Sequence, residues 1–219
     1  MRRMSARTAG ISIDRQRRGG IEPAATQQQN QAGQLVPGST VSTRHLEGIN
    51  GERVSIPDRE RLIHLQFRRF AGCPVCNLHL RSVIQWHGEL VAAGIREVVV
   101  FHSTAEALRT HAADLPYAVV ADPGKRLYRE FGVESSRRAL FDPRAWPAIL
   151  RGVLRSSWAI IRDRRSVPPI RPEGGRFGLP ADFLIDRSGT IVACKYGDHA
   201  DDQWSMEELL ELARDMQSR

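Results

Sequence analysis

A Cys-x-x-Cys pair at the junction of a strand and a helix is the feature that most constrains the fold of this chain. The apolar segment Arg61–Phe70 predicts a buried strand, and it runs through Ala-Gly directly into Cys73-Pro74-Val75-Cys76. From Val75 to Ala93 apolar side chains recur at helical spacing, and Gly94 marks the end of that pattern. The pair is therefore predicted at the amino-terminal end of a helix that follows a strand.

The rest of the chain alternates between strand-like and helix-like segments. Strands are predicted at Ile95–Phe101, Ala118–Ala121, Asp182–Asp186 and Thr190–Tyr196. Helices are predicted after the capping box Ser103-x-x-Glu106, at Lys125–Phe131, and after the capping box Ser205-x-x-Glu208. Residues 40–56 predict a β-hairpin around an Asn-Gly turn. This order predicts an α/β fold, with a mixed sheet and helices on both of its faces.

The positive charge of the chain is confined to two segments. The formal net charge is +7, and 30 of the 32 basic residues are arginines. Residues 1–33 carry six arginines against two acids, and residues 134–178 carry ten arginines against four acids. A dedicated nucleic-acid binder would carry its basic stripe on a folded face, so we expect no nucleic-acid partner. We interpret 1–33 as a disordered basic tail and 34–219 as one domain with an insertion at about 134–178.

The insertion contains the pattern of an amphipathic helix. Its apolar residues recur at helical spacing: Trp146, Ile149, Leu150, Val153, Leu154, Trp158 and Ile161. Arginines occupy the other faces. Three placements are open for this helix: packing on its own domain beside the cysteines, a contact in a homodimer, or an anionic membrane surface.

Composition excludes several classes of protein. No apolar run approaches 18 residues, so no integral membrane segment is expected. The first ten residues lack the apolar stretch of a secretory signal, which favours a cytoplasmic location. The three cysteines are too few for a disulfide scaffold or for a four-cysteine zinc site.

The position of the cysteine pair favours redox chemistry. Pro74 is tolerated in the first helical turn, where backbone N–H groups and the helix dipole favour the thiolate of Cys73. Cys76 lies one turn deeper, where it can close a disulfide with Cys73. Arg68 and Arg69 precede the pair, and one of them should point toward the same strand end. A guanidinium there would stabilise a thiolate or the oxygen of a cleaved peroxide.

Two other interpretations of the pair are open. The thiols could be inert, or they could form half of a zinc site with His64, His79 or His87, although these are not at a zinc-finger spacing. A Cys-x-x-Cys beside a βαβ pattern in a cytosolic protein favours the redox interpretation over both. His79 is interpreted as a structural or partner-contact residue rather than a proton shuttle, and Cys194 as a small buried side chain.

Two segments of the sequence resemble a known family. Residues 67–81 (FRRFAGCPVCNLHLR) and 178–204 (GLPADFLIDRSGTIVACKYGDHADDQW) resemble the peroxiredoxin-like family of the alkyl hydroperoxide reductase and thiol-specific antioxidant group. That group is part of the thioredoxin-like superfamily. The resemblance covers roughly residues 35–219. It implies a thioredoxin-like fold, with Cys73 as the attacking thiol and Cys76 as its partner. It also implies a cis peptide bond at Leu179–Pro180, packed against the disulfide and presenting backbone to a substrate.

The sequence departs from the peroxiredoxin pattern at one place. A Pro-x-x-x-Thr/Ser-x-x-Cys box ending at Cys73 would require Pro at 66 and Thr or Ser at 70, where this chain has Gln66 and Phe70. The hydroxyl group that would orient a peroxide is absent, which argues against fast peroxide reduction and leaves dithiol–disulfide exchange unaffected. Slower peroxide reduction through a Cys73 sulfenic acid stays open.

We therefore expect a thiol–disulfide oxidoreductase of the peroxiredoxin-like type. It would cycle Cys73 and Cys76 between dithiol and disulfide, with a peroxide or a disulfide as substrate. A thioredoxin- or glutathione-type reductant would restore it, and no bound cofactor or metal is needed. The alternative is a non-catalytic thioredoxin-like module that senses redox state or binds a partner.

Overall fold

A five-stranded sheet with the order β5-β4-β3-β6-β7 forms the centre of the molecule. The computed structural model describes residues 33–133, 143–163, 175 and 178–218. The strands are β1 (Arg44–Glu47), β2 (Arg53–Ile56), β3 (Leu62–Arg68), β4 (Ile95–Phe101), β5 (Ala118–Ala121), β6 (Ala181–Ile185) and β7 (Ile191–Tyr196). Strands β3, β4 and β5 are parallel, whereas β6 runs antiparallel to β3 and β7 antiparallel to β6. Strands β1 and β2 form a separate hairpin.

Six α-helices are present in the described part of the chain. They are α1 (Pro74–Gln85), α2 (His87–Ala92), α3 (Ala105–Ala112), α4 (Arg126–Glu130), α5 (Trp146–Asp163) and α6 (Met206–Gln217). A 3-10 turn at Pro143–Ala145 leads into α5. The mixed sheet, the hairpin and the helical part of the insertion were predicted from the sequence, and the structure confirms them.

Each face of the sheet is covered by its own apolar cluster. Because successive side chains of a strand point to opposite faces, Ile63, Leu65 and Phe67 of β3 all face one side. They pack there against the hairpin and against Tyr128 and Phe131 in and after α4. The other cluster contains apolar side chains from α1, α2, α3 and α6. Strand β3 is therefore buried on both faces, as is typical of a central strand joined by parallel connections.

The structure corrects two helix boundaries. The predicted helix over Val75–Ala93 is two helices, because Trp86 leaves the helical conformation (φ −97°, ψ 8°) between α1 and α2. The N-cap of α3 is Thr104, whose hydroxyl accepts the N–H of Ala107 at 3.4 Å. Ser103 was predicted for that role, but its hydroxyl accepts the N–H of Ala71 at 3.0 Å instead. It thereby binds the loop that carries the cysteine pair.

Two sequence predictions fall largely outside the described residues. The predicted tail at 1–33 is described only from Gly33 onward, and the insertion at 134–178 only over 143–163, 175 and 178. Within the described ranges, no helix combines the length and the apolar character needed to cross a membrane.

The capping box of α6 gives a test of local stability. The Ser205 hydroxyl accepts the N–H of Glu208 at 3.1 Å, and the Glu208 carboxylate accepts the N–H of Ser205 at 2.7 Å. We expect Ser205→Ala to lower the free energy of unfolding by about 1 kcal/mol, measured by urea denaturation. Ser205→Asp keeps an acceptor at the cap and should remain close to the parent. Equal stability of the parent and the alanine variant would contradict the assigned cap.

Candidate active site

A tight turn places the cysteine pair at the carboxyl end of β3. The N–H of Cys73 donates to the carbonyl of Phe70 at 3.1 Å, and Gly72 within this turn has a φ of +75°. A side chain at that position would be strained, which explains the glycine. Cys73 is the N-cap of α1, and its Sγ accepts the N–H of Cys76 at 3.4 Å. Pro74 occupies the first turn of α1, as predicted.

Arg69 lies against both sulfur atoms. Its side chain is buried and interacts with the thiols of Cys73 and Cys76. Burial disfavours ionisation of both thiols, but the Cys73 thiol and Arg69 together lower the pKa of Cys76 to about 5. Burial and the charge on Cys76 raise the pKa of Cys73 well above its usual value. The pair therefore holds one negative charge, and the sulfur with the lower pKa is that of Cys76 rather than the expected Cys73.

Arg68 points to the opposite side of its strand and enters a buried polar cluster. Its Nη2 donates to the carboxylate of Asp182 at 2.6 Å and to the side-chain carbonyl of Gln66 at 2.7 Å. The same nitrogen lies 2.9 Å from Nε2 of His79. Both Arg68 and Asp182 have fully buried side chains. Burial raises the pKa of Asp182, but Arg68 and His64 outweigh it and hold that pKa well below its usual range.

His64 and Glu97 complete the polar cluster. His64 contacts Glu97 through Nδ1 at 2.8 Å and Asp182 through Nε2 at 3.2 Å. Burial opposes protonation of His64, yet these two carboxylates raise its pKa to about 9. His79 is also buried, but it faces Arg68, and burial and that positive charge lower its pKa well below the usual value. The cluster thus pairs two cations, Arg68 and His64, with two carboxylates.

Helix α5 covers the cysteine pair. Cys73 and Cys76 are 1% and 3% exposed, and they share an apolar cluster with Ala145 and Ala148. Gly152 lets α5 approach α1 closely, because a Cβ at this position would lie 3.0 Å from the carbonyl oxygen of Pro74. One side of the insertion therefore packs on its own domain, over the sulfur atoms.

The segment before β6 lies beside Arg69, but its proline differs from the expectation. A Cβ added at Gly178 would lie 3.4 Å from Cγ of Arg69. The Leu179–Pro180 bond is trans, so the predicted cis bond is wrong; the cis proline bond in the described residues is Ile56–Pro57. The trans form is intrinsically favoured. Here the Pro180 carbonyl accepts the N–H of Gly197 at 2.9 Å, which fixes this segment to the end of β7.

A cleft lies between α1, α5 and the loop before α6, and it is bordered by Ala148, which shares an apolar cluster with the cysteines. Its volume is about 620 Å³. It is lined by Leu78, His79, Ser82, Ala148, Arg151, Leu154, Asp201 and Gln203. Burial raises the pKa of Asp201. His79 connects this cleft to the buried polar cluster through its contact with Arg68.

Sequence reasoning missed most of the polar cluster. His64 was considered only as a metal ligand, and Gln66 only for the proline that it replaces. The usable signal was the alternation in Leu62–Arg68, where three polar side chains fall on one face of a strand that is otherwise apolar. The partners Glu97 and Asp182 come from β4 and β6, and their proximity follows from the strand order. Cys194 lies apart from the pair, with Sγ 3.6 Å from the carbonyl of Leu35.

Comparison with known proteins gives one family. The sequence profile of the AhpC/TSA antioxidant enzyme matches residues 82–199, which is just over half of the chain and begins after the cysteine pair. No curated protein sequence gives a significant match.

Three solved structures illustrate the structural similarity. Peroxidoxin BcpB from Mycobacterium tuberculosis has a TM-score of 0.57 at 13% identity, covering 83% of this chain and 97% of that one. AhpC from Enterococcus faecalis has a TM-score of 0.58 at 16% identity, covering 84% and 93%. A putative thiol:disulfide interchange protein DsbE from Chlorobium tepidum has a TM-score of 0.50 at 20% identity, covering 81% and 97%. At these identities the similarity concerns the fold, and it confirms the predicted thioredoxin-like architecture.

The buried cluster predicts an unusual pair of histidine titrations. We expect the imidazole of His64 to titrate near pH 9 and that of His79 to stay neutral far below pH 6.5, measured by NMR shifts of the ring resonances. A midpoint near 6.5 for His64 would contradict its double pairing with Glu97 and Asp182.

The same raised pKa predicts the pH dependence of stability. His64 binds its proton more tightly in the folded chain than in the unfolded chain, so its contribution is complete below pH 6.5 and is lost as the pH rises through 9. The shift from 6.5 to about 9 corresponds to about 3 kcal/mol. The stability difference between the parent and His64→Gln, from urea denaturation, should shrink by that amount across this window. A difference that does not depend on pH would contradict the assignment.

Arg69 should control the ionisation of the thiols. We expect Arg69→Met to raise the lower pKa of the pair by about one to three, because a buried thiolate loses its counter-charge. The ultraviolet absorbance of the thiolate, followed against pH, measures this change. Alkylation of the pair at pH 6 should slow by about tenfold. Arg69→Lys keeps the charge and should shift less, whereas an unchanged midpoint in the methionine variant would exclude this role.

Proposed function

This chain belongs to the AhpC/TSA antioxidant enzyme family, and we propose that it is a thiol–disulfide oxidoreductase that cycles Cys73 and Cys76 between dithiol and disulfide. Membership confirms the resemblance to the peroxiredoxin-like group that the two sequence segments indicate. The observation that carries the proposal is the position of both thiols at the N-terminus of α1, beside the buried guanidinium of Arg69. A thiolate is the reactive form of cysteine, and this arrangement stabilises one at neutral pH.

In the proposed cycle, Cys73 attacks the substrate and Cys76 resolves the product. The proton of Cys73 passes across the hydrogen bond between the two thiols to Cys76, which leaves a Cys73 thiolate at the helix N-terminus. With a disulfide R–S–S–R, Cys73 forms a mixed disulfide and releases R–S⁻, which takes up a proton. Cys76 then attacks Cys73, releases the second thiol and closes the Cys73–Cys76 disulfide. An external dithiol of the thioredoxin type, or a glutathione-type thiol, reverses the oxidation.

Peroxide reduction is the second candidate reaction, and Arg69 is the observation that favours it. Cys73 would take one oxygen atom from R–O–O–H to give a sulfenic acid, and the R–O⁻ leaving group would be protonated to R–OH. Attack by Cys76 on the sulfenic acid then forms the disulfide and releases water. Arg69 can stabilise the departing oxygen electrostatically. Phe70 offers no hydroxyl at the position where peroxiredoxins have one, so we expect this reaction to be slower than disulfide exchange.

Substrate approach requires a route to sulfur atoms that are covered by α5. We infer that the cleft between α1 and α5 is this route, because it is bordered by Ala148, which packs in the same cluster as Cys73. The burial of both thiols also supports the alternative of a redox-sensing or partner-binding module. The rates of oxidation separate the two functions.

The first experiment is to oxidise the reduced protein with one equivalent of a small disulfide or of hydrogen peroxide. Mass spectrometry of quenched samples should show the loss of two hydrogens and a Cys73–Cys76 disulfide. In Cys76→Ser, the disulfide reagent should give a mixed disulfide on Cys73, and peroxide should give a sulfenic acid there. Cys194→Ser is the matched control and should react like the parent, because Cys194 lies in β7 away from the pair.

Each outcome assigns the reaction. Fast exchange with the disulfide and slow reaction with peroxide supports the proposal as stated. Fast reaction with peroxide makes peroxide reduction the main activity despite Phe70. If both reactions are slow, the enzymatic proposal fails and the sensing or binding module replaces it. Adduct formation on Cys76 in Cys73→Ser, with none on Cys73 in Cys76→Ser, would reverse the two roles.

A further inference from the structure

Helix α5 has its large apolar side chains on the outside. Trp146, Leu150, Leu154 and Trp158 are each 61–63% exposed, and Val153 is 45% exposed. We call these five residues the outer stripe of α5. A helix of a globular protein normally turns its bulky apolar face to the core. A contiguous exposed apolar patch of this kind marks an interaction surface.

The inner face of the same helix combines small residues with Ile149, which is partly buried on the cluster that contains the cysteines. Ala148, with Ala145 from the turn before the helix, is buried in the cluster that contains the cysteine pair, and Gly152 lies against Pro74. These contacts fix which side of α5 faces the domain. The outer stripe lies on the other side, and Leu154 at its edge also borders the cleft between α1 and α5. The stripe runs from position 146 to 158, which is about 18 Å along the helix.

Arginines border the outer stripe. Positions 151, 155 and 162 of α5 are all arginine and are separated by four and seven residues, so they fall on one row along the helix, and Arg144 lies in the 3-10 turn before it. Arg144 and Arg151 are exposed; Arg144 lies 3.9 Å from the carboxylate of Asp198, and Nε of Arg151 donates to the carbonyl of Pro147 at 3.3 Å. The acid within α5 is Asp163, at its carboxyl end. The exposed side of α5 is therefore an apolar stripe with a row of arginines along one edge.

These observations favour an anionic lipid surface over a second copy of the chain. Pairing α5 with another α5 would bring two rows of arginines close together, and like charges repel. A bilayer with anionic headgroups accepts the apolar stripe among its acyl chains and the arginines at its phosphates. The tryptophans near both ends of the stripe suit the headgroup level, where amphipathic rings are favoured.

We propose that α5 docks this protein on an anionic membrane surface through Trp146, Leu150, Val153, Leu154 and Trp158, with the arginine row at the lipid phosphates. The helix lies in the plane of the interface and does not cross the bilayer. This proposal rests on the faces of α5 and not on the thiol chemistry proposed above, and Arg151 and Leu154 also border the cleft inferred as the substrate route.

The test is binding of the full chain to lipid vesicles. Vesicles of phosphatidylcholine with phosphatidylglycerol should co-sediment the protein, and vesicles of phosphatidylcholine alone should bind it far less. Tryptophan emission should shift to the blue on binding, because two of the four tryptophans lie in the outer stripe. High salt should weaken the binding, since it screens the arginines.

Two sets of variants make the test specific. Leu150→Glu combined with Leu154→Glu should weaken binding by about a hundredfold, because two exposed leucines no longer enter the apolar layer. Ile84→Glu combined with Val91→Glu is the matched control: these residues are 41% and 49% exposed on α1 and α2, and we expect unchanged binding. Arg151→Glu should weaken binding without changing any apolar residue. Circular dichroism of every variant should match that of the parent.

Several outcomes would overturn the proposal. Equal binding to both vesicle types would remove the role of the anionic headgroups. Absence of vesicle binding, together with a dimer in sedimentation equilibrium that the double leucine variant dissociates, would assign the stripe to a second copy. A monomer that binds neither vesicle type would leave the stripe without this function. Equal weakening by the α1 and α2 control would show that the stripe is not the docking surface.

Discussion

The ion pair between Arg68 and Asp182 is the interaction on which the centre of this structure depends. Both side chains are withdrawn from solvent, and an unpaired charge in that position would be strongly destabilising. Asp182 also accepts from the backbone N–H of Trp204, and Arg68 reaches His79. One pair therefore joins β3, β6, α1 and the segment that enters α6. Together with His64 and Glu97 its charges sum to zero, which makes the burial of four ionisable groups tolerable.

Two adjacent arginines serve two different environments because they follow one another along an extended chain. Successive side chains of a strand point to opposite sides, so Arg68 enters the polar cluster while Arg69 lies against the thiols. The carboxylate of Asp182 and the thiolate of the cysteine pair are thus each paired with one guanidinium. The shared charge of the cysteines follows from this division, because the single cation beside them stabilises one thiolate and not two.

Much of the fold could be predicted from local sequence, and most of the site could not. Strand Ile95–Phe101 and the cap at Ser205 were found as predicted, because apolar runs and caps depend on neighbouring residues alone. The N-cap Thr104 was missed, since Ser103 is one residue away and only the folded chain shows what its hydroxyl contacts. Asp182 is more than a hundred residues from Arg68, and no spacing rule links them. The predicted cis proline came from resemblance, and resemblance does not fix the isomer at Leu179–Pro180.

The small residues on the inner face of α5 have a consequence for motion. Apolar burial contributes about 0.8 kcal/mol per CH₂ group, and Ala148 and Gly152 offer few such groups to the domain, while Ile149 packs beside them only partly buried. Separating this helix from α1 therefore loses less apolar burial than separating a helix that packs through several buried leucines. We expect α5 to separate as a low-energy local opening while the sheet stays intact, and to exchange its amide hydrogens well before the strands do. The sulfur atoms would then be covered while α5 packs on α1, and they would become accessible when α5 separates, without unfolding of the domain.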